Sequence, residues 1–318
     1  QEADLLLTNG KIWTGNEAMP WASWVAVKDG KILQVGSHDQ PFIGTTNEEI
    51  DLQQRLTLPG LNASHVDFAS AGHLLLNINL LDVNDSERFI STVRETAQRL
   101  PAGSWITRGD WGAYAAWAMG SAGGKQRSEF MPHRSMIDSV TTSHPVLVTR
   151  YDRKVGLANA LALDFLSIDS EDGILQGDLL TDALERIPEK SFEQRVAESQ
   201  RALLECRKWG VTTVQDMSPL DQLDVYKHLR EKGDLTCRVN FSPSRLSEYT
   251  AMKEKGWVID WTDPTNPHPA GDEWISFGTI KSHIDGIMGA RSARFFEPYS
   301  DTDIENKSWR GGWREFSR

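Results

Sequence analysis

Short hydrophobic, β-rich runs separated by turn residues open the chain. Residues 4–8 (DLLLT), 11–14 (KIWT), 24–27 (WVAV) and 32–36 (ILQVG) are β-rich, with Asn9-Gly10, Gly15-Asn16 and Asp29-Gly30 at or between their ends. Asn-Gly and Asp-Gly between such runs are strong hairpin signals, because both central residues of the favoured two-residue turn need positive φ. A small β-domain is therefore expected over residues 1–56. A new element leads through Leu56-Thr57-Leu58-Pro59-Gly60 to Asn62-Ala63-Ser64-His65-Val66-Asp67-Phe68, and residues 57–74 read as one strand and its following turn. Residues 75–190 are mixed in pattern, with loops rich in Gly, Ser and Trp around 103–125.

The pattern becomes more regular after residue 190. Ser191-Phe192-Glu193-Gln194 opens a helix predicted over 192–209, with Val196, Leu203, Leu204 and Cys206 near one stripe. Residues 211–216 (VTTVQD) are apolar and β-branched with little alternation, as expected of a strand covered on both faces. A helix over 219–232, a strand over 236–241, helical material to about 256 and a strand over 275–281 follow. Strand, helix, strand in this order predicts parallel βαβ units and an α/β fold through residues 191–318.

Composition narrows the function. A chain of 318 residues holds two ordinary domains, or one large barrel with an accessory piece. With 45 acidic against 34 basic side chains the formal net charge is -11, which argues against a nucleic-acid partner, since such a protein needs a basic face. No apolar run approaches the roughly 18 residues of a membrane span. The two cysteines, Cys206 and Cys237, allow at most one bridge and both read as core. The first residue is Gln1 rather than Met, so a processed or trimmed chain is expected, periplasmic or secreted, with cytoplasmic as the alternative.

Three groups of residues can carry chemistry. His65 and Asp67 sit two apart at a predicted strand end, where residues i and i+2 share a face; they form either a metal-ligand pair or a hydrogen-bonded pair. Lys281, His283 and Asp285 alternate with Ser282, Ile284 and Gly286, so one strand face carries three ionisable groups. That face is either a site, continued by the glycine-punctuated loop 286–292, or an exposed polar edge. Trp111, Tyr114 and Trp117 lie in or beside Gly109-Asp110-Trp111-Gly112 and line either a substrate pocket or a subdomain core. Asp216 either faces the mouth of the parallel sheet or caps the helix after it. His73, His133, His144, His228 and His268 have no partner spacing and read as structural.

The run Leu58-Pro59-Gly60-Leu61-Asn62-Ala63-Ser64-His65-Val66-Asp67-Phe68 resembles the amidohydrolase superfamily, more closely its family 3 branch of YtcJ-like proteins and N-substituted formamide deformylases. Gly103-Ser104-Trp105-Ile106, Gly109-Asp110-Trp111, His144-Pro145-Val146, Leu157-Ala158-Asn159, residues 210–214 (GVTTV), Lys281, Asp285-Gly286 and residues 296–301 (FEPYSD) match in order, so the resemblance covers nearly the whole chain. It implies a (β/α)8 TIM-type barrel beside a small β-sandwich, with residues 75–190 as an inserted subdomain. It also implies one or two divalent ions, zinc first, activating water against a C–N bond of an amide or formamide-like small molecule. By position His65 matches the first histidine ligand. Lys281 matches the strand-four ligand, often carbamylated, and Asp285 a group that orients Lys281 or substrate.

Three departures stand out. Asp67 replaces the second histidine, Ala63 an aspartate, and Asp152-Arg153-Lys154 a Gly-His. The sequence shows about half of a barrel, which predicts that further ligands follow Arg318 or come from an assembly. A noncatalytic binding or scaffold relative and an ester or lactone hydrolase are the alternative functions, and a homo-oligomer is allowed.

Overall fold

The computed structural model describes residues 1–114, 130–243, 246–254, 270–277, 280–281, 285, 293–297 and 299. The chain forms two compact units, Gln1–Asn62 with Gly210–Thr212, and Ala63–Trp209 with Thr213–Arg318. No helix among the described residues is long and apolar enough to cross a membrane.

The first unit is built from seven strands: β1 (Glu2–Thr8), β2 (Lys11–Trp13), β3 (Trp21–Ala22), β4 (Trp24–Lys28), β5 (Lys31–Gly36), β6 (Thr45–Asp51) and β7 (Leu56–Thr57). They make a four-stranded sheet in the order β5-β4-β1-β6 and a three-stranded sheet β3-β2-β7. The Asp-Gly hairpin is present: Asp29 and Gly30 take φ of 50° and 71°, and Lys28 faces Lys31. The Asn9-Gly10 hairpin is not. β1 and β2 belong to different sheets, and Gly10 N donates to Ser23 O, so this turn carries the chain from one sheet to the other. Ile12 and Ala22 from the smaller sheet share an apolar cluster with Val25, Val27 and Val35 from the larger.

From residue 61 on come β8 (Leu61–Val66), α1 (Phe68–Leu76), α2 (Ser86–Arg99), β9 (Ile106–Trp111), β10 (Val146–Arg150), β11 (Val155–Ala158), α3 (Ala160–Leu166), β12 (Ile174–Gln176) and α4 (Gly177–Glu185). There follow α5 (Phe192–Lys208), β13 (Val211–Asp216), α6 (Gln222–Glu231), β14 (Arg238–Phe241), α7 (Leu246–Glu254), β15 (Ala270–Gly271) and β16 (Ile275–Phe277). The insertion holds its own sheet, β12-β11-β10-β9. Its strands are apolar on both sides: Val146 and Val148 join Phe89, Val93 and Ile106, while Leu147 joins Leu163, Leu166 and Leu180. Period-two alternation sends neighbouring residues to opposite faces, so one strand seeds two cores.

The remaining strands form the sheet β15-β16-β14-β13-β8. β13 runs parallel to β14, and β14 to β16. Hydrogen bonds from Leu61 N to Gly210 O and from Met217 N to Val66 O, each within one compact unit, give β8 the direction of β13. α5, α6 and α7 precede β13, β14 and β16, the expected βαβ order.

Two expectations are corrected here. β13 is not covered evenly, because Val214 and Asp216 are buried while Thr213 and Gln215 are only half-buried. α5, capped by Ser191 as expected, buries Glu198, Ser199, Ala202 and Leu203 and leaves Leu204 exposed. A polar pair of positions faces inward because each finds a polar partner: His73 of α1 for Glu198, and Gln222 of α6, which donates to Ser199 Oγ.

The α1–α5 contact is close at Gly72, where an added Cβ would stand 2.5 Å from the Glu198 carbonyl oxygen. Glycine to alanine in a helix interior ordinarily stabilises by about 1 kcal/mol. Gly72→Ala is expected to do the opposite, destabilising by about 1–3 kcal/mol through overpacking against backbone, and urea unfolding reads the sign directly.

Candidate active site

A cleft of about 200 Å³ is lined by Ser64, His65, Gln215, Met217, Ser242, Ile280 and Lys281. Ser64 and His65 are near the end of β8, Gln215 and Met217 flank the end of β13, and Ser242 follows β14. Ile280 and Lys281 follow β16, and Lys281 N donates to Pro243 O at 3.0 Å, which holds this segment beside the end of β14. The cleft thus gathers residues from the carboxyl ends of four adjacent parallel strands. That is where α/β folds place their sites, because the chain turns there from strand to helix and loops are free to vary.

Asp67 lies one residue beyond β8 with φ -95° and ψ 88°, so strand alternation no longer sets its direction. Its carboxylate accepts from Ser70 N at 3.0 Å and from Ser70 Oγ, capping α1. The other two amides of this first turn are also satisfied by side chains. Phe68 N donates to Asp216 Oδ1 and Ala69 N to Ser218 Oγ, both at 2.9 Å. Asp216 therefore neither lines the cleft nor caps the helix that follows it. It receives Ser218 Oγ at 2.7 Å, Ser218 N at 3.1 Å and Tyr226 Oη at 2.7 Å, tying α1, the β13 loop and α6 together. Burial lifts its pKa above the ordinary value although all four contacts favour the ionised form. Burial, with Asp216 adjacent, drives the Tyr226 phenol well up.

A second polar group lies between α1, α5 and β9. His73 Nδ1 meets Glu198 Oε1 at 2.8 Å and Nε2 meets Thr107 O at 3.0 Å, while Lys190 Nζ donates to Glu198 Oε2 at 2.7 Å. Burial pushes the Glu198 carboxyl up, but His73 and Lys190 together hold it below its ordinary value. The sign follows: a lowered folded pKa stabilises above the unfolded value of 4.5, and that contribution is lost as pH falls through the folded pKa. Glu198→Gln is expected to destabilise by about 1–3 kcal/mol at neutral pH, with the deficit shrinking below the unfolded value; urea titrations across acid pH check it.

The β9–β10 pair is irregular beside this group. Arg108, Gly109 and Asp110 take φ of 66°, 86° and 54°, and Arg153 takes 56°. Outside glycine this conformation costs about 1–2 kcal/mol per residue, so packing must hold it, and register shifts between Val148 and Arg150. Arg108 Nη1 donates to Ser70 Oγ at 2.7 Å. Thr149 Oγ1 donates to Asp110 Oδ1 at 3.1 Å. Arg108 and Arg153 each stand 3.9 Å from the Asp110 carboxylate. Burial, then the neighbouring Arg153 charge, lowers the Arg108 pKa.

His65 and Lys281 are brought together; the other candidates are not. Trp111, read as lining either a substrate pocket or a subdomain core, packs in the core: it is 1% exposed and meets Phe89 edge-on at 6.3 Å, because the bulge turns it toward α2. Tyr114 is half exposed, and its amide donates to Leu81 O. Asp285 Oδ2 accepts from Arg294 N at 2.8 Å. Trp117, His283 and loop 286–292 lie outside the described residues. Gln215, Met217 and Ser242 escaped the sequence reading, though Gln215 and Met217 flank Asp216 at the positions strand alternation sends the other way.

As metal donors, the imidazole of His65 suits a divalent ion, whereas a lysine ammonium has no lone pair to give. Two side chains fall short of a four-coordinate site, and among the described residues no group of three His, Cys, Asp or Glu could hold a metal ion. The residues present fit part of a metal site, with Lys281 a ligand only in an uncharged or carbamylated form.

A parallel sheet with intervening helices and a cleft at its carboxyl ends defines a mixed α/β protein with an enzyme-like site. The amidohydrolase family model matches residues 48–318, and the chain belongs to that family, in its family 3 branch. Protein LONG AFTER FAR-RED 3 of Arabidopsis thaliana is 32% identical over 94% of this chain and 53% of its own length. YtcJ of Bacillus subtilis (strain 168), named as an amidohydrolase, is 23% identical over 93% of this chain and 57% of its own. The solved structure of a metal-dependent hydrolase from Pyrococcus horikoshii OT3 shares the fold at TM-score 0.69 and 20% identity, covering 97% of this chain and 59% of that one. The chain thus spans little more than half the length of these relatives.

Proposed function

We propose that this chain carries part of a metal-dependent hydrolase acting on a C–N bond of an amide or formamide-like small molecule. β8, β13, β14 and β16 would be four strands of a (β/α)8 barrel, and the first unit part of a β-sandwich. The observation that carries the reading is the meeting of His65 and Lys281 in one cleft at the carboxyl ends of those strands. A divalent ion, zinc being the natural partner of imidazole, supplies hydroxide at neutral pH by acidifying a bound water. His65 would hold it directly, and Lys281 as a carbamate, which turns a cation into a carboxylate. Gln215 and Ser242 offer hydrogen bonds that orient an amide, and Asp285, which accepts from Arg294 N, would orient Lys281 or substrate. Family membership and the shared fold support the reading. A periplasmic or secreted location and a homo-oligomer belong to the same proposal.

The test is metal content of full-length protein purified without chelator, with turnover of matched amide, formamide, ester and lactone substrates. Stoichiometric zinc and amide turnover that dipicolinate removes and zinc restores are expected. Turnover confined to esters or lactones would reject the C–N assignment. The engagement of Asp67 with α1 favours a second reading, a noncatalytic binding relative, which predicts no bound metal at all.

A further inference from the structure

We propose that Cys206 and Cys237 are a reversible dithiol–disulfide site, oxidised by a peroxide or by a small-molecule disulfide, that ties the end of α5 to the start of β14. The site uses neither metal nor substrate and stands apart from the hydrolase reading.

The fold assembles the pair within one compact unit. Cys206 lies in the last turn of α5, and Cys237 immediately precedes β14. Their neighbours hold the two runs side by side, since Gln200 Nε2 of α5 donates to Asp234 Oδ2 at 3.4 Å. From that contact to the cysteines α5 advances about 9 Å, and the loop no more than about 10 Å. There the thiols meet, Cys237 Sγ donating to Cys206 Sγ, and no disulfide joins them. Each sulfur sits on a single rotatable stem, so side-chain rotation can bring the pair toward the roughly 2.0 Å of a disulfide bond.

The two positions divide the work. Cys237 is 1% exposed, whereas Cys206 is half-buried and open to a small oxidant. The hydrogen bond from Cys237 holds the Cys206 thiol below its ordinary value; the same bond, with burial, pushes the Cys237 thiol well up. The accessible sulfur is therefore the more acidic one, and a thiolate is the form that oxidants attack. With hydrogen peroxide, the Cys206 thiolate cleaves the O–O bond, keeps one oxygen as a sulfenic acid and releases hydroxide, which its former proton converts to water. The Cys237 sulfur then displaces the sulfenic oxygen, its thiol proton leaving in a second water, and the S–S bond forms. Two thiols are oxidised by two electrons and one peroxide is reduced to two waters. A disulfide oxidant gives the same product by two exchanges, releasing two thiols. The bond closes a loop, residues 206–237, that contains β13 and α6. Such a closure restricts the unfolded chain more than the folded one.

The experiment treats reduced full-length protein with hydrogen peroxide and, separately, with glutathione disulfide, followed by peptide mapping without reductant. A peptide linking Cys206 to Cys237, lighter by two hydrogens and undone by dithiothreitol, is expected from both. The oxidised protein is expected to melt at least about 5 °C above the reduced form. Cys237→Ser is expected to stop at a sulfenic acid that dimedone traps, or at a glutathione adduct, on Cys206. Cys206→Ser is expected to leave Cys237 unreacted. The unsubstituted protein carries the main result, so a variant that misfolds leaves the test intact. Sulfinic acid or a lasting glutathione adduct on Cys206 without the cross-link overturns the proposal. So does faster alkylation of Cys237 than of Cys206, or a cross-link from either to any other cysteine. A melting temperature unchanged or lowered by oxidation overturns the tie between α5 and β14.

Discussion

Lys281→Ala in the full-length protein is expected to lower hydrolysis by at least about 100-fold and to reduce bound metal. Lys281 enters the cleft from beyond β16 and His65 from β8, at opposite ends of the four parallel strands, with Gln215, Met217 and Ser242 between them. A ligand bridging the two sides must take a donor from each, so losing either leaves half a site. Substitutions at one position separate the roles of Lys281. Lys281→Arg keeps the charge and the length but cannot become a carbamate, so it is expected to be as inactive as the alanine variant. Lys281→Glu supplies a permanent carboxylate on a shorter stem and is expected to retain more metal than either. His65→Ala is expected to match Lys281→Ala in both readouts. Metal analysis beside steady-state rates checks all four; a Lys281→Ala enzyme within a few-fold of the parent would remove Lys281 from the site.

Local signals in the sequence predicted local structure well. Asp29-Gly30 marks a true hairpin because two residues in sequence decide it, and Ser191 starts α5 because a cap is a short-range hydrogen bond. Asn9-Gly10 carries the same signal and a different outcome, since which sheet β2 joins depends on β7, more than 40 residues away. The cleft has the same character. Its residues come from positions 64–65, 215–217, 242 and 280–281, and only parallel strand order brings them together. His65 and Lys281 stood out because each is ionisable and sits in a run spaced like a ligand set, His-x-Asp and Lys-x-His-x-Asp; Gln215 and Ser242 carry no such mark. Asp67 shares the spacing of a ligand pair with His65, but β8 ends at Val66 and the two-residue period ends with it. Trp111 has the composition of a pocket residue, and the positive φ of Arg108 to Asp110, which no alternation pattern reveals, turns it into the core.

The largest effect on stability is expected at Asp216. Asp216→Ala leaves Phe68 N, Ser218 N and Tyr226 Oη without their acceptor in a place that water does not reach. Stranding buried polar groups in this way costs about 3–5 kcal/mol in total, equivalent to a fall in melting temperature of roughly 10 °C for a unit of this size. Asp216→Asn keeps one oxygen for Phe68 N and turns an amide toward Tyr226 Oη, which can accept, so a loss of about 1–2 kcal/mol is expected. The two variants also differ from the parent in pH dependence. The folded pKa of Asp216 is raised above its unfolded value of 3.8, so the folded state holds the proton longer than the unfolded chain. Stability from this group is therefore full below the unfolded value and declines as pH rises through the folded one. Asparagine cannot titrate, so the gap between parent and Asp216→Asn is expected to be widest at low pH and to narrow as pH rises. Urea unfolding at a series of pH values reads both effects. A gap that widens with pH would mean that the four donors outweigh burial and that Asp216 is held as a carboxylate. In either case the same carboxylate fixes the start of α1, three residues from His65, so its loss should loosen the cleft as well as the fold.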